Sequence, residues 1–103
     1  MDRKEKYMFG VSDEFVNQCI DRFDTDNQID ILQEECAELI KACSKVKRGI
    51  GHFTQVDPLD NLKEELSHVA ISSAVVSKIF NIKEEDIAAE INKKAVKYNF
   101  KKY

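Results

Sequence analysis

An all-α fold, a four-helix bundle, is predicted for this chain. Three observations predict it. Apolar residues recur at helical spacing in four stretches. Residues that start and stop helices bracket those stretches. Turn formers are scarce, with three Gly and one Pro in 103 residues, too few for a many-stranded fold. No strand is predicted.

The first helix is predicted from about Ser12 to Phe23. Ser12 is a good N-cap, and Asp13 and Glu14 place negative charge in the first turn. Phe15, Val16, Cys19, Ile20 and Phe23 form its apolar face. The second helix runs from about Asn27 to Arg48. Ile29, Leu32, Cys36, Leu39, Cys43 and Val46 make one stripe, and Gly49 is the stop. Lys45, Lys47 and Arg48 complement the negative end of the helix dipole. The segment from Gly49 to Val56 is a loop.

The third helix starts sharply, with Asp57 as N-cap and Pro58 at the first helical position. It continues to about Phe80. From Val69 to Phe80 it is apolar or small on nearly every side, with Lys78 the interruption. A helix apolar all round is a buried helix. Three short neighbours hardly cover it, so packing against a second subunit is expected. After Asn81-Ile82-Lys83 the fourth helix runs from about Glu84 to Asn99. Acids fill its first turn, and Lys93, Lys94, Lys97, Lys101 and Lys102 crowd the other end.

Composition narrows the class. Hydrophobic residues are 43% and charged residues 34% of the chain, as in a soluble amphipathic helical protein. The length suits one domain, residues 1–103, with 1–11 as an N-terminal extension. Net charge is −3, which gives no general basic footprint for nucleic acid. No apolar run is long enough to cross a bilayer, and the charged N-terminus leads into no signal-peptide core. A cytoplasmic protein with neither nucleic-acid nor membrane partner is expected. Cys19, Cys36 and Cys43 are odd in number and form no Cys-x-x-Cys pair, so no disulfide framework is expected. Cys36 and Cys43, seven apart, read as small buried hydrophobes.

Two acidic clusters carry the chemistry: Glu34-Glu35-Cys36-Ala37-Glu38 and Glu64-Glu65-Leu66-Ser67-His68. Residues three apart share a helical face, so Glu35 pairs with Glu38 and Glu65 with His68. On a helical wheel Glu35 falls beside the Leu32–Leu39 stripe. Glu38 lies one step further round, and Glu34 points toward solvent. Carboxylates at a core edge are costly unless paired or bound to a cation. Bundles commonly build metal sites from inward Glu residues on facing helices. The plainer reading is two solvated acidic faces with local ion pairs such as Glu34–Lys41 or Glu38–Lys41.

These motifs resemble those of the MazG-type nucleotide pyrophosphohydrolases, in the all-α NTP pyrophosphatase superfamily. That family carries E-E-x-x-E on one helix and E-x-x-D on the next. Here the first is Glu34-Glu35-Cys36-Ala37-Glu38, complete, and the second is Glu65-Leu66-Ser67-His68, ending in His where the family has Asp. The spacing between them also fits. So does the ending, Asn81 to Ile87 followed by Lys93-Lys94 and Lys97-Tyr98-Asn99. The resemblance covers about Ile29 to Tyr103.

The resemblance implies a MazG-like helical bundle whose core is completed by a homodimer or dimer-of-dimers. It implies magnesium-dependent hydrolysis of a nucleoside or deoxynucleoside triphosphate to monophosphate and pyrophosphate. Glu35, Glu38 and Glu65 match metal-ligand positions, and His68 stands at the fourth. Glu34 matches the first acid of the motif, whose role is either to support the metal ligands from behind or to help orient the attacking water. Lys94 and Lys97 are the candidates for phosphate contact, beside the plainer reading of a solvated C-terminal charge cluster. The Lys45 to Arg48 run could serve similarly, and Phe53 could stack on a base. An imidazole suits manganese, cobalt or zinc better than magnesium. Three outcomes stay open for His68. It ligates a softer metal; it stands aside while magnesium is held by three carboxylates; or catalysis is lost, leaving a helical dimer that binds nucleotide or a protein partner.

Overall fold

The computed structural model describes residues 6–49 and 57–103; His52 and Phe53 lie outside them. Four helices carry the fold. α1 spans Asp13–Arg22 and α2 Gln28–Arg48. α3 spans Pro58–Ile79 and α4 Glu84–Tyr98. Each lies within a residue or two of its predicted span. A small β-hairpin, absent from the sequence prediction, precedes them. β1 (Tyr7–Met8) pairs antiparallel with β2 (Val11–Ser12).

The hairpin has a local cause. Phe9 and Gly10 both have positive φ, +54° and +78°, and this two-residue turn matches the twist of paired strands. Strands of two residues are too short to show alternation, which is why periodicity missed them. The ladder is extended by the Asp13 N–H donating to Lys6 O at 2.8 Å.

Helix ends follow the residues that mark them. Ser12 Oγ accepts from the Phe15 N–H at 3.1 Å, and the Asp57 carboxylate accepts from the Leu59 N–H at 2.9 Å. Both bonds satisfy N–H groups that a helix start leaves unpaired. Asn27 caps α2 by position but makes no side-chain bond. Gly49 ends α2 at φ +103°, a conformation that costs glycine little. Asn99 ends α4 in the left-handed region. There the Phe100 N–H returns to Ala95 O at 2.8 Å, as helix C-termini commonly do.

Packing has two parts. Val16, Ala74 and Val75 form a small core with Met8, Val11, Cys19, Ile20, Ile71 and Ile79 around it. This core joins the hairpin, α1 and the C-terminal half of α3. The larger interface is α2 against α3, where Ala42 is fully buried. On α3, Ser72 and Ala74 through Ser77 are buried within this one chain. Of that apolar stretch Phe80, just past the helix end, is exposed; other uncovered large apolar residues include Ile29 and Ile40 on α2, Leu59 and Leu66 on the first half of α3, and Ile91, Val96 and Tyr98 on α4.

Two expectations are corrected here. Cys36 and Cys43 are exposed, and Cys19 is partly buried. The reason is rotation of α2: its buried residues are Gln28 and Ala42, so the Ile29–Cys36–Cys43 edge of the stripe turns outward while Leu32, Leu39 and Val46 stay half-buried. On α1, Phe15 and Phe23 are likewise exposed while Val16 is buried. No helix among the described residues is long and apolar enough to cross a membrane. Among the described residues α4 makes no substantial interface with the other elements. The radius of gyration is 16.5 Å, against roughly 13 Å for a compact domain of this length.

Candidate metal centre

Rotation of α2 that turns Cys36 outward turns Glu35 inward. Glu35 then meets Glu65 and His68 of α3. Side-chain exposures are 26% for Glu35, 12% for Glu65 and 41% for His68. One ligand atom from each lies within 4.8 Å of the others. His68 Nδ1 is 3.2 Å from Glu35 Oε2 and 3.6 Å from Glu65 Oε2.

Those two carboxylate oxygens are the most informative atoms here. Both are inaccessible to solvent, and among the described residues neither has a hydrogen-bond partner. The imidazole nitrogen is within ion-pair range of each, yet its geometry makes a hydrogen bond to neither. Leaving a buried acceptor unsatisfied costs about 1–3 kcal/mol, and more when it is charged. Two such oxygens facing one another across a helix interface call for positive charge between them. A divalent cation held between them would supply it.

Local structure positions each group. Glu65 and His68 are an i, i+3 pair on α3, so the helix itself sets their spacing. Ala42, fully buried, lies seven residues after Glu35 and so on the same face of α2. On the same interface Lys45 Nζ donates to Asn61 Oδ1 at 3.4 Å, tying the C-terminal end of α2 to the start of α3.

Glu38 stands outside this group. Three residues turn a helix by about 300°, so Glu38 is rotated about 60° from Glu35. Its carboxylate is half exposed and accepts from Lys41 Nζ at 3.4 Å. This is one of the local pairs anticipated from the sequence. Glu34 is exposed. Lys94 and Lys97 lie on α4, and their amines sit 6.0 Å and 5.8 Å from the Tyr98 ring centroid. Tyr98 was not singled out from sequence, although Lys94 four residues before it and Lys97 beside it carry the signal. A cavity of about 410 Å³ lies elsewhere, between the hairpin and the α3–α4 turn, lined among others by Met8, Val16, Ala74, Ile82 and Lys83. None of the three clustered residues lines it.

The donors suit a divalent cation: two carboxylate oxygens and one imidazole nitrogen, from two rigid helices. A mixed oxygen–nitrogen set favours manganese, cobalt or zinc over magnesium, which prefers oxygen throughout. Fold and site together define a four-helix, mostly α protein with a candidate Glu–Glu–His cation centre. No family model, curated protein or solved structure matches the chain.

Proposed function

We propose that this chain is a metal-dependent nucleoside triphosphate pyrophosphohydrolase of the MazG type. It would cleave the α–β phosphoanhydride bond of a nucleoside or deoxynucleoside triphosphate, releasing monophosphate and pyrophosphate. The observation that carries the reading is the pair of buried, unpartnered oxygens on Glu35 and Glu65 facing His68. The acidic motifs that supply these residues resemble that family's.

In this reading Glu35, Glu65 and His68 hold the cation. When bound, the cation supplies neutralisation of phosphoryl charge and acidification of water. Glu34, adjacent on α2, is the carboxylate assigned to orient the attacking water and take its proton. The water oxygen bonds to the α-phosphorus, the bond to the bridging oxygen breaks, and pyrophosphate leaves. Lys94 and Lys97 neutralise charge on the phosphates. Since α4 stands apart from the cluster in the single chain, a homodimer or dimer-of-dimers is part of the proposal. Support for it comes from the exposed Ile29, Ile40, Leu59 and Leu66 and from the large radius of gyration.

The test is a panel of standard and modified nucleoside triphosphates with magnesium or manganese, read by pyrophosphate release. Turnover that requires Glu35 and Glu65 is expected. No turnover with any nucleotide or metal overturns the reading. One observation favours a second reading, a catalytically impaired helical dimer that binds nucleotide or a protein partner. His68 lies close enough to both carboxylates to act, when protonated, as the site's own cation. That reading expects Glu35→Gln to leave ligand binding unchanged.

A further inference from the structure

The C-terminal segment has a character the rest of the chain lacks. Lys93 through Tyr103 holds five lysines, three aromatic residues and no acid, in a chain whose net charge is −3. Such local asymmetry is a recognised signal for polyanion binding even where the whole protein is acidic.

The segment is also ordered onto α4. The Phe100 N–H donates to Ala95 O at 2.8 Å, and the Tyr103 N–H donates to Asn92 Oδ1 at 2.9 Å. The chain therefore turns at Asn99 and folds back along the last turns of the helix. Its rings and lysines thus share one short, ordered stretch of surface. Tyr98 and Phe100 stand 5.5 Å apart, tilted by 38°. Lys94 and Lys97 flank the Tyr98 ring. Among the lysines, Lys93 is engaged with Glu90 at 2.7 Å. Despite their size, the rings stay open to solvent: Tyr98 is 52%, Phe100 68% and Tyr103 75% exposed.

Exposed rings set among cations match one chemistry closely. Unpaired bases stack on aromatic side chains, while the sugar-phosphate backbone tracks the lysines. A duplex offers the phosphates but hides the base faces. We propose that Lys94–Tyr103 is a docking surface for single-stranded nucleic acid, bound with little sequence preference. Charge complementarity names a polyanion as the occupant, and the three exposed rings select a single strand over a duplex or a lipid surface. Lys94 and Lys97, assigned to substrate phosphates in the hydrolase reading, also belong to this surface, whereas Tyr98, Phe100, Lys101, Lys102 and Tyr103 have no part in that reading and none of Glu35, Glu65 or His68 lies in the segment.

The test is fluorescence anisotropy of the full chain with labelled oligo-dT and oligo-U of about 20 nucleotides, beside a duplex of equal length and vesicles containing phosphatidylserine. The two single strands separate DNA from RNA as the source of the shared chemistry. Binding is expected to either strand or both, more tightly than to duplex. It should weaken with salt at a log–log slope of about −3 if four lysines meet phosphate. Replacing Tyr98, Phe100 or Tyr103 by Ala should each weaken binding roughly fivefold or more. Lys101→Glu with Lys102→Glu should weaken it and flatten the salt slope. Circular dichroism of each variant checks that the helices persist. Equal affinity for duplex with no effect of the ring substitutions would show a plain polyelectrolyte contact and overturn the proposal. So would binding to vesicles but not to strands, or no binding to any probe.

Discussion

His68 Nδ1 lies 3.2 Å from Glu35 Oε2, across the packing interface of α2 and α3. The pair joins residues 33 positions apart in the chain. It exists because α2 packs on α3 with the face that carries Glu35 and the fully buried Ala42 turned inward. Beside it, Glu65 Oε2 is buried and unpartnered. The centre is therefore a place where one cation relieves two orphaned acceptors.

Cation binding should stabilise the fold. At about 100 times the dissociation constant a ligand contributes roughly 2.7 kcal/mol, which for a domain of this size raises Tm by roughly 10 °C or more. Manganese, cobalt or zinc should do so more than magnesium in differential scanning fluorimetry. Glu65→Gln should abolish the gain. A gain that survives this substitution would place the cation elsewhere.

Glu38 and Glu35 should behave differently despite sharing a motif. Glu38 is exposed and paired with Lys41, so Glu38→Gln should change stability by less than about 0.5 kcal/mol. It should also leave the cation-induced rise in Tm intact. Glu35→Gln should remove that rise. Without cation it should be neutral or stabilising in urea unfolding, because one of two facing buried carboxylates has lost its charge.

His68→Asp tests the donor set. It replaces a nitrogen by carboxylate oxygen and adds a negative charge. Magnesium should gain relative to manganese, both in binding measured calorimetrically and in any turnover. An unchanged metal preference would show that His68 does not touch the ion.

Ala42→Leu should push α2 away from α3. Overpacking of this kind costs about 1–3 kcal/mol, readable by urea unfolding. Because Glu35 rides on the displaced helix, the same variant should weaken cation binding by tenfold or more. Stability loss without weaker binding would mean that the interface relaxes around the larger side chain.

The proposed dimer places Ile40 and Leu66, both largely exposed, against a second copy. Ile40→Glu and Leu66→Glu should each shift sedimentation from dimer toward monomer while helical content is kept. A chain that sediments as a monomer before any substitution would remove the dimer from the proposal.

Most of the helical architecture was legible in the residues themselves. Asp57-Pro58, Gly49 and the acid-to-lysine gradient of α4 marked its ends because capping and dipole effects are local. The hairpin escaped notice because its strands are too short to alternate. Within a helix, register is also local, so the Glu65–His68 pair was readable from spacing alone. How far α2 is rotated about its own axis was not. That depends on which side chains of two helices interlock, and it decided that Glu35 faces α3 while Glu38 and Cys36 face solvent. The tertiary structure likewise decided that α3's apolar second half is buried mainly within its own chain. Sequence by itself determined the helices and the types of group each carries. Packing between helices, set by contacts distant in sequence, decided which of those groups meet.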